Sequence, residues 1–491
     1  MSNDVEKKTK SSLYWNVGLK IPYEIFRFFA SIITARILDP QDFGIVSIAT
    51  MVIFYANSFT NFGFNQVLVQ RKEITENHIK TVFTVNIIMS LIMIILLLLA
   101  SEPIAHFFNS TESIDVIRVM SVVFILTALH DLPYVLLRRE LEFKLITIVD
   151  MAREILMTAI TLGLAVYGYK YWSIVYGYII SMVLASAYLI YRTRLPLRFS
   201  YNHTAFKELI GTSIWSFLQM QIYFLSNRID RIIVGRYFNT AALGLYEKSK
   251  SLSQMPAESL GDKLNTVFFS SFSRIQDNQE SVNNIFKKGL LVVTAITFPI
   301  YAGMLVTAHH FVIVLLGEKW SGMIDIFQIM AIAGIFASVN GFLAAMAVGS
   351  GHFKSYTLRY GISTLVLFVG CLIAANSGID SIAIVYTLYS LLLTILTFGI
   401  VKERFGINWA MLLLTCLPAS IASLCMGIII VILKRLYFAE YSAMNFIALI
   451  TIGMTSYSIA MLIMPSVVLN DIRSSLYRDA TKLFHRLRYR R

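Results

Sequence analysis

The residues with the most chemical potential are charged side chains set inside apolar segments. Lys20, Glu24 and Arg27 follow i, i+4, i+7 spacing and share one helical face. Gln221, Arg228 and Arg231 stand close together with Asp230 adjacent, and Glu247, Ser251, Gln254 and Glu258 fall on one face with Lys250 beside it. Asp150, Arg153 and Glu154 form a third group, and Arg359 stands near the end of another segment. Ionisable groups in hydrocarbon are costly, so they face a wet cavity or pair with one another. A guanidinium offers a planar fork matched to phosphate oxygens, which an ammonium does not. Two readings follow. In one, Arg27, Arg228 and Arg231 contact an anionic ligand, with Arg153, Lys250, Arg359 and Lys20 completing a cationic cavity. In the other the charges neutralise internally: Lys20 with Glu24, Arg153 with Glu154 or Asp150, and Arg228 or Arg231 with Asp230. Glu24 reads as a holder for Lys20 and Arg27, with ion coupling as its alternative role, and Asp230 is a second ion-coupling candidate. His130 and Asp131, near Pro133, read as a helix-end contact rather than a protonation site. His and Cys lack ligand spacing, and nucleophile and nucleotide motifs are missing, so neither a metal, a cofactor nor an enzyme is expected.

The elements that carry these charges are membrane helices. Hydrophobic residues make up 57% of the 491 and charged residues 14%, where a soluble chain carries about 25% charged. Runs such as Val85–Ala100 and Asn445–Met464 approach or reach the roughly 20 apolar residues that cross a ~30 Å hydrocarbon core. Fourteen windows qualify, at 16–37, 42–63, 79–100, 114–136, 146–167, 171–191, 208–233, 242–268, 286–308, 323–348, 355–376, 380–401, 409–433 and 443–466. The first, seventh and eighth are weak because they contain charges. With the N-terminus inside, the inner segments carry 26 Lys and Arg and the outer loops 5, which fits an even number of spans and both termini cytoplasmic. The formal charge of +13 then needs no nucleic acid. The N-terminus has no cleavable signal pattern. The basic tail, 467–491, reads as a solvated topology anchor. Cys371, Cys416 and Cys425 all lie in apolar segments and read as small core residues.

The chain also repeats itself. "ARILDPQDFGIV" from Ala35 returns as "GRYFNTAALGLY" from Gly235, aligning Arg36 with Arg236 and Gly44 with Gly244, and Trp15 aligns with Trp215. Beyond, the offset becomes 210: "IDVIRVM" from Ile114 matches "IDIFQIM" from Ile324, Phe143-Lys144 matches Phe353-Lys354, and "SIVY" from Ser173 matches "AIVY" from Ala383. Each match falls in the corresponding window. The expectation is an all-α polytopic membrane protein: a six-helix lobe over 1–200, a second over 201–405, two further helices over 406–466 and the tail. Two such parallel copies are related by an axis along the membrane normal, and paired bundles alternate access to an interfacial site by rocking. Gly44 and Gly244 read as accommodating tight hairpins, and Trp15 and Trp215 as packing residues.

Together with the repeat, "RILDPQDFGIVSIA", "GFNQVLVQRKE" and "PIAHFFNSTESIDVIRVMS" resemble the polysaccharide flippases of the multidrug/oligosaccharidyl-lipid/polysaccharide superfamily, in the branch of colanic-acid and teichuronic-acid exporters. The resemblance covers windows one to twelve and is strongest over 12–145. It implies movement of an undecaprenyl-diphosphate-linked oligosaccharide across a bacterial plasma membrane. Partners implied are that lipid-linked oligosaccharide, membrane lipids, and a polysaccharide polymerase with export machinery. The cationic cavity would then receive a diphosphate and acidic sugars. An ion-coupled exporter of small amphipathic compounds is the alternative on the same architecture, against which the predominance of Arg and Lys argues. A membrane polymerase or ligase would carry a large outer loop, whereas "SEPIAHFFNSTES" is short.

Overall fold

The computed structural model describes residues 22–71, 73–194, 198–275, 279–438 and 440–464. Lys20, Trp15, the Trp215 side chain and the tail lie outside these described residues. Among them all extended regular structure is helical: α1 (22–37), α2 (Pro40–Asn61), α3 (Phe64–Gln70), α4 (Glu76–Phe107), α5 (Ser113–Met120), α6 (Val123–Arg139), α7 (Phe143–Val166), α8 (Tyr171–Thr193), α9 (His203–Tyr237), α10 (Thr240–Ile275), α11 (Gln279–His310), α12 (Ile324–Gly349), α13 (Phe353–Ala374), α14 (Ile379–Phe405), α15 (Trp409–Leu436) and α16 (Ala443–Ile463). Ten helical segments among the described residues are long and apolar enough to cross a membrane. The windows outside that set lie on α1, of which only residues 22–37 are described, and on the charge-bearing helices α7, α9 and α10. Three of these are the windows read as weak, and α7 joins them through Lys144, Asp150, Arg153 and Glu154. The fourth window is divided between α5 and α6, and the short α3 follows a left-handed Gly63 (φ 79°) that no apolar pattern announced.

Several helices start where the sequence supplies caps. Pro40 opens α2 just after Asp39, whose N–H donates to Asp42 Oδ2 at 3.0 Å. Asn202, Asn408 and Ser442 side chains accept the N–H of Ala205, Met411 and Asn445 at the heads of α9, α15 and α16. Asp42 is buried, and its other oxygen accepts the Tyr171 N–H at 3.1 Å, so one carboxylate ties the starts of α2 and α8 together.

The chain falls into two compact units. One comprises residues up to Lys248 with Leu315–Met323 and Thr364–Ile382, and the other Ser249–Val314, Ile324–Ser363 and the residues from Ala383 on. In the first unit the connections gather in two sets. Those after α1, α4, α7 and α9 meet each other and Leu315–Met323: Arg36 Nε donates to Leu315 O at 3.0 Å, Trp320 Nε1 to Ala35 O at 2.8 Å, and Arg236 Nη1 to Phe107 O at 2.9 Å. The other set joins Arg139 to Leu68 O at 2.9 Å, the Arg71–His78–Glu208 group, and Ser200 to Thr84 at 3.0 Å. Helix α4 starts in one set and ends in the other, and 32 residues at 1.5 Å each span about 48 Å. The first set contains loops that the charge count puts outside and the second those it puts inside.

The glycines explain the repeated phrase. A Cβ on Gly44 would lie 1.8 Å from Thr240 O, and one on Gly244 would lie 1.8 Å from Pro40 O. Thr240 stands to Pro40 as Gly244 stands to Gly44, so α2 and α10 cross by a reciprocal exchange. The contact is between helix starts rather than within hairpins, which corrects the tight-hairpin expectation. The exchange extends outward: Lys319 Nζ donates to Ile37 O at 3.2 Å and Asn109, its counterpart 210 residues earlier, donates to Arg236 O at 3.4 Å.

The interior of the second unit is built around Phe286, Leu290, Phe342, Met346 and Phe398 from α11, α12 and α14. Pro256 removes one hydrogen bond from the α10 ladder, and beside it the Ala257 N–H donates to Tyr301 Oη at 3.1 Å. Gly334 leaves the room that Tyr301 occupies, since a Cβ there would lie 2.1 Å from the ring.

Candidate functional site: membrane-embedded cations

In the first unit, charges line α1, α9 and the head of α10. The α9 segment Asn227–Ile233 places Arg228, Asp230 and Arg231 within one turn, while Tyr246, Glu247 and Lys248 follow Gly244 on α10. Arg231, 8% exposed, pairs with Glu247 through Nε and Oε2 at 2.7 Å. Asp230 is fully buried and accepts the Tyr246 hydroxyl at 2.8 Å. Lys248 donates to both Ser31 O and Ser31 Oγ at 2.8 Å and lies over the Phe43 ring at 4.8 Å. On α1, Glu24 and Arg27 pair at 3.2 Å. A buried ion pair leaves neither charge free for an outside ligand without loss of its partner.

Two arginines differ. Arg228 lies with its Cζ 5.8 Å from the Phe54 ring centroid, and among the described residues no carboxylate comes within ion-pair distance. Arg153 on α7 likewise has no ion pair among the described residues, and its buried Nε has no hydrogen-bond partner there. Asp150 receives the Tyr134 hydroxyl at 3.1 Å rather than an arginine. A guanidinium over an aromatic face is stabilised without being neutralised, so Arg228 keeps its charge available.

In the second unit, Lys250 is 1% exposed with Nζ 4.0 Å from the Tyr386 centroid, and Gln254 bonds the Tyr386 hydroxyl. Arg359 is laid across α14: Nη1 donates to Leu396 O at 2.8 Å, and Nη2 to both Glu403 oxygens at 2.9 and 2.8 Å. Gly399 lets it lie flat, because a Cβ there would meet Nη1 at 2.5 Å.

The internal-pairing alternative therefore takes different partners from those the sequence suggested. Arg231 has Glu247 rather than only its neighbour Asp230, and Arg359 has Glu403. Those partners lie on following helices, where sequence spacing carries no signal. Lys248, one residue after Glu247, is held by Ser31 of α1. His130 and Asp131 lie about 13 Å along α6 from its end at Arg139, by nine residues at 1.5 Å each, which corrects the helix-end reading.

The chain is similar to known proteins in sequence and in fold. The family described as "Polysaccharide biosynthesis protein" matches residues 33–325. The lipopolysaccharide biosynthesis protein WzxC of Escherichia coli (strain K12) is 22% identical over 87% of this chain and 89% of its own length. The succinoglycan biosynthesis transport protein ExoT of Rhizobium meliloti (strain 1021) is 24% identical over 72% of each chain. The fold is that of the lipid II flippase MurJ in an inward closed conformation, with a TM-score of 0.74 at 16% identity over 94% of this chain and all of the other. With more than half of its length matched, this multi-pass, all-helical membrane chain belongs to the family of polysaccharide biosynthesis proteins.

Proposed function

We propose that the protein is a transporter, not an enzyme, that moves undecaprenyl-diphosphate-linked polysaccharide repeat units across the bacterial plasma membrane by alternating access. Family membership and the transport and flippase names of its relatives support the class of activity. The observation that carries the substrate reading is the pair of span arginines, Arg228 and Arg153, without a carboxylate partner among the described residues. A multiply charged headgroup does not cross hydrocarbon bare. Fixed guanidinium groups offset part of its lost hydration and grip phosphate oxygens by their fork.

On this reading Arg228 and Arg153 meet the diphosphate or uronic acids first. Arg27 and Arg231 are held ready by Glu24 and Glu247, and in the second unit Lys250 and Arg359 are further candidate anion contacts. Glu24 and Asp230 act as holders, with ion coupling as their alternative role. The repeat supports two six-helix lobes followed by two helices, with both termini cytoplasmic. The reciprocal contact of Gly44 and Gly244 then belongs to the outer closure that parts when the carrier opens outward. A polymerase on the far face would receive the delivered unit.

The test is complementation of a strain lacking this protein. Arg228→Ala should abolish surface polysaccharide at normal protein abundance, Arg228→Lys should retain part of it, and neutralising Arg488 and Arg490 should matter far less. Full polysaccharide with Arg228→Ala would reject the cationic site.

A further inference from the structure

Helix α6 carries a network that the cationic site does not use. The His130 ring approaches Asp131 with Nδ1 and Oδ1 3.3 Å apart, and the other Asp131 oxygen accepts Asn65 Nδ2 of α3 at 2.9 Å. The same imidazole stacks on Tyr134, with centroids 5.3 Å apart and planes at 29°, and Tyr134 Oη donates to Asp150 of α7 at 3.1 Å. His130 Nε2 is buried without a hydrogen-bond partner among the described residues. A carboxylate can only accept, so in the neutral ring the proton sits on Nδ1 facing Asp131. That tautomer leaves the Nε2 lone pair as an unoccupied proton acceptor, and Asp131 stabilises the imidazolium that results.

The surroundings connect this acceptor to the anion site. Asp150 lies within electrostatic reach of both the His130 ring and the Arg153 guanidinium, one turn on along α7. Arg153, Glu154 and Asp131 all lie within electrostatic reach of Tyr178 of α8. Helix α4 meets α6 through Ser90, whose hydroxyl donates to Phe124 O at 3.1 Å, and Phe54 of α2 lies against Tyr178 at 6.4 Å. Pro133, three residues after His130, removes one helix hydrogen bond where the network sits, so α6 can bend there.

We infer that His130, held by Asp131 and Asn65, is a proton-binding site whose occupancy is linked through Tyr134 and Asp150 to an anion at Arg153. The step is simple: one proton adds to Nε2, no other bond changes, and the network gains one positive charge. An added positive charge favours an anion nearby, and by reciprocity the anion favours the proton by the same factor. The inference rests on the reading of Arg153 as an anion contact.

The test uses the full chain in lipid nanodiscs. With histidine labelled by ¹⁵N, the His130 imidazole signal, assigned by its loss in His130→Gln, should change from that of a neutral ring protonated on Nδ1 to that of an imidazolium over a series of buffers from about pH 8 down to about pH 5. In parallel, undecaprenyl-diphosphate N-acetylglucosamine serves as the probe, because both its phosphates are diesters that do not titrate in this window. Its affinity should be about fivefold or more tighter at the acidic end, within the usual range of coupling. His130→Gln should bind it with no pH dependence, and His130→Asn repeats the test should the first variant fail to fold. A His130 ring in one protonation state throughout overturns the proton site. Probe binding by the unaltered chain that ignores pH overturns the linkage. Absence of probe binding at every pH counts against the anion-site reading instead, while the imidazole titration still decides the proton site.

Discussion

Replacing Gly44 by Ala is the perturbation whose sign the structure fixes most firmly. Gly44 is the fifth residue of α2, and inside a helix Ala is intrinsically favoured over Gly by about 1 kcal/mol. Were the site open, the substitution would stabilise. The new methyl would instead lie 1.8 Å from Thr240 O, against an ordinary contact of 3.4 Å or more. The two helix starts must separate by well over 1 Å, and the obstacle is backbone that cannot rotate away. Overpacking of this kind costs typically 1–3 kcal/mol, which corresponds to about 5- to 150-fold in an opening equilibrium. Gly244→Ala meets Pro40 O at the same 1.8 Å and should act alike. The two changes act on one crossing, so their effects should not add. The reporter is Ala35→Cys in a chain whose Cys371, Cys416 and Cys425 are replaced by Ser. Ala35 is fully buried and its carbonyl accepts Trp320 Nε1. An impermeant maleimide added outside should label it slowly, and either glycine substitution should speed labelling by about the factor given. Unchanged labelling in both variants, or an effect of one glycine alone, would refute the reciprocal crossing as the outer closure.

Three further outcomes are expected. Glu247→Ala should destabilise by about 1–3 kcal/mol because it removes a carboxylate partner of the buried Arg231 charge, and adding Arg231→Met should restore part of the loss; thermal unfolding in detergent reads both. Tyr301→Phe should cost about 1–2 kcal/mol by leaving the Ala257 N–H without its acceptor, whereas Gly334→Ala should cost more by displacing the ring itself. Cysteines at Asn109 and Ser377 should react with impermeant thiol reagents from outside, and those at Arg139 and Arg404 only after permeabilisation; labelling of Asn109 and Arg139 from one side would break the proposed topology.

Hydropathy and charge count made the helical membrane architecture legible, because long apolar runs have one solution in lipid. The repeated phrase around Gly44 and Gly244 marked a special place, but its meaning needed three dimensions. Glycine spacing along one chain does not say which backbone approaches it, and the approach comes from a residue 200 positions away. Apart from Glu24 with Arg27, which helical spacing already joined, the site was legible as a set of residue types and not as a set of pairs. Arg231 and Arg359 take their partners from the next helix in each case, at sequence separations set by loop lengths rather than by the helical period. Arg228 stands out because Phe54, not a carboxylate, faces it. Periodicity within α9 alone offers no hint of that neighbour. His130 was discounted for its closeness to Pro133, and only the position of Asn65 and Asp150 on other helices gives it a role.

The central claim is that unneutralised span arginines carry an anionic lipid-linked sugar across the bilayer. The direct measurement is flipping of fluorescently labelled undecaprenyl-diphosphate N-acetylglucosamine in proteoliposomes, read by quenching of the outer leaflet. The unaltered protein should equilibrate the label between leaflets. Arg228→Ala and Arg153→Ala should each slow it at least tenfold, a loss of about 1.4 kcal/mol, and Arg228→Lys should fall between. Flipping at the full rate in an Arg228→Ala, Arg153→Ala double variant of normal stability would contradict the account.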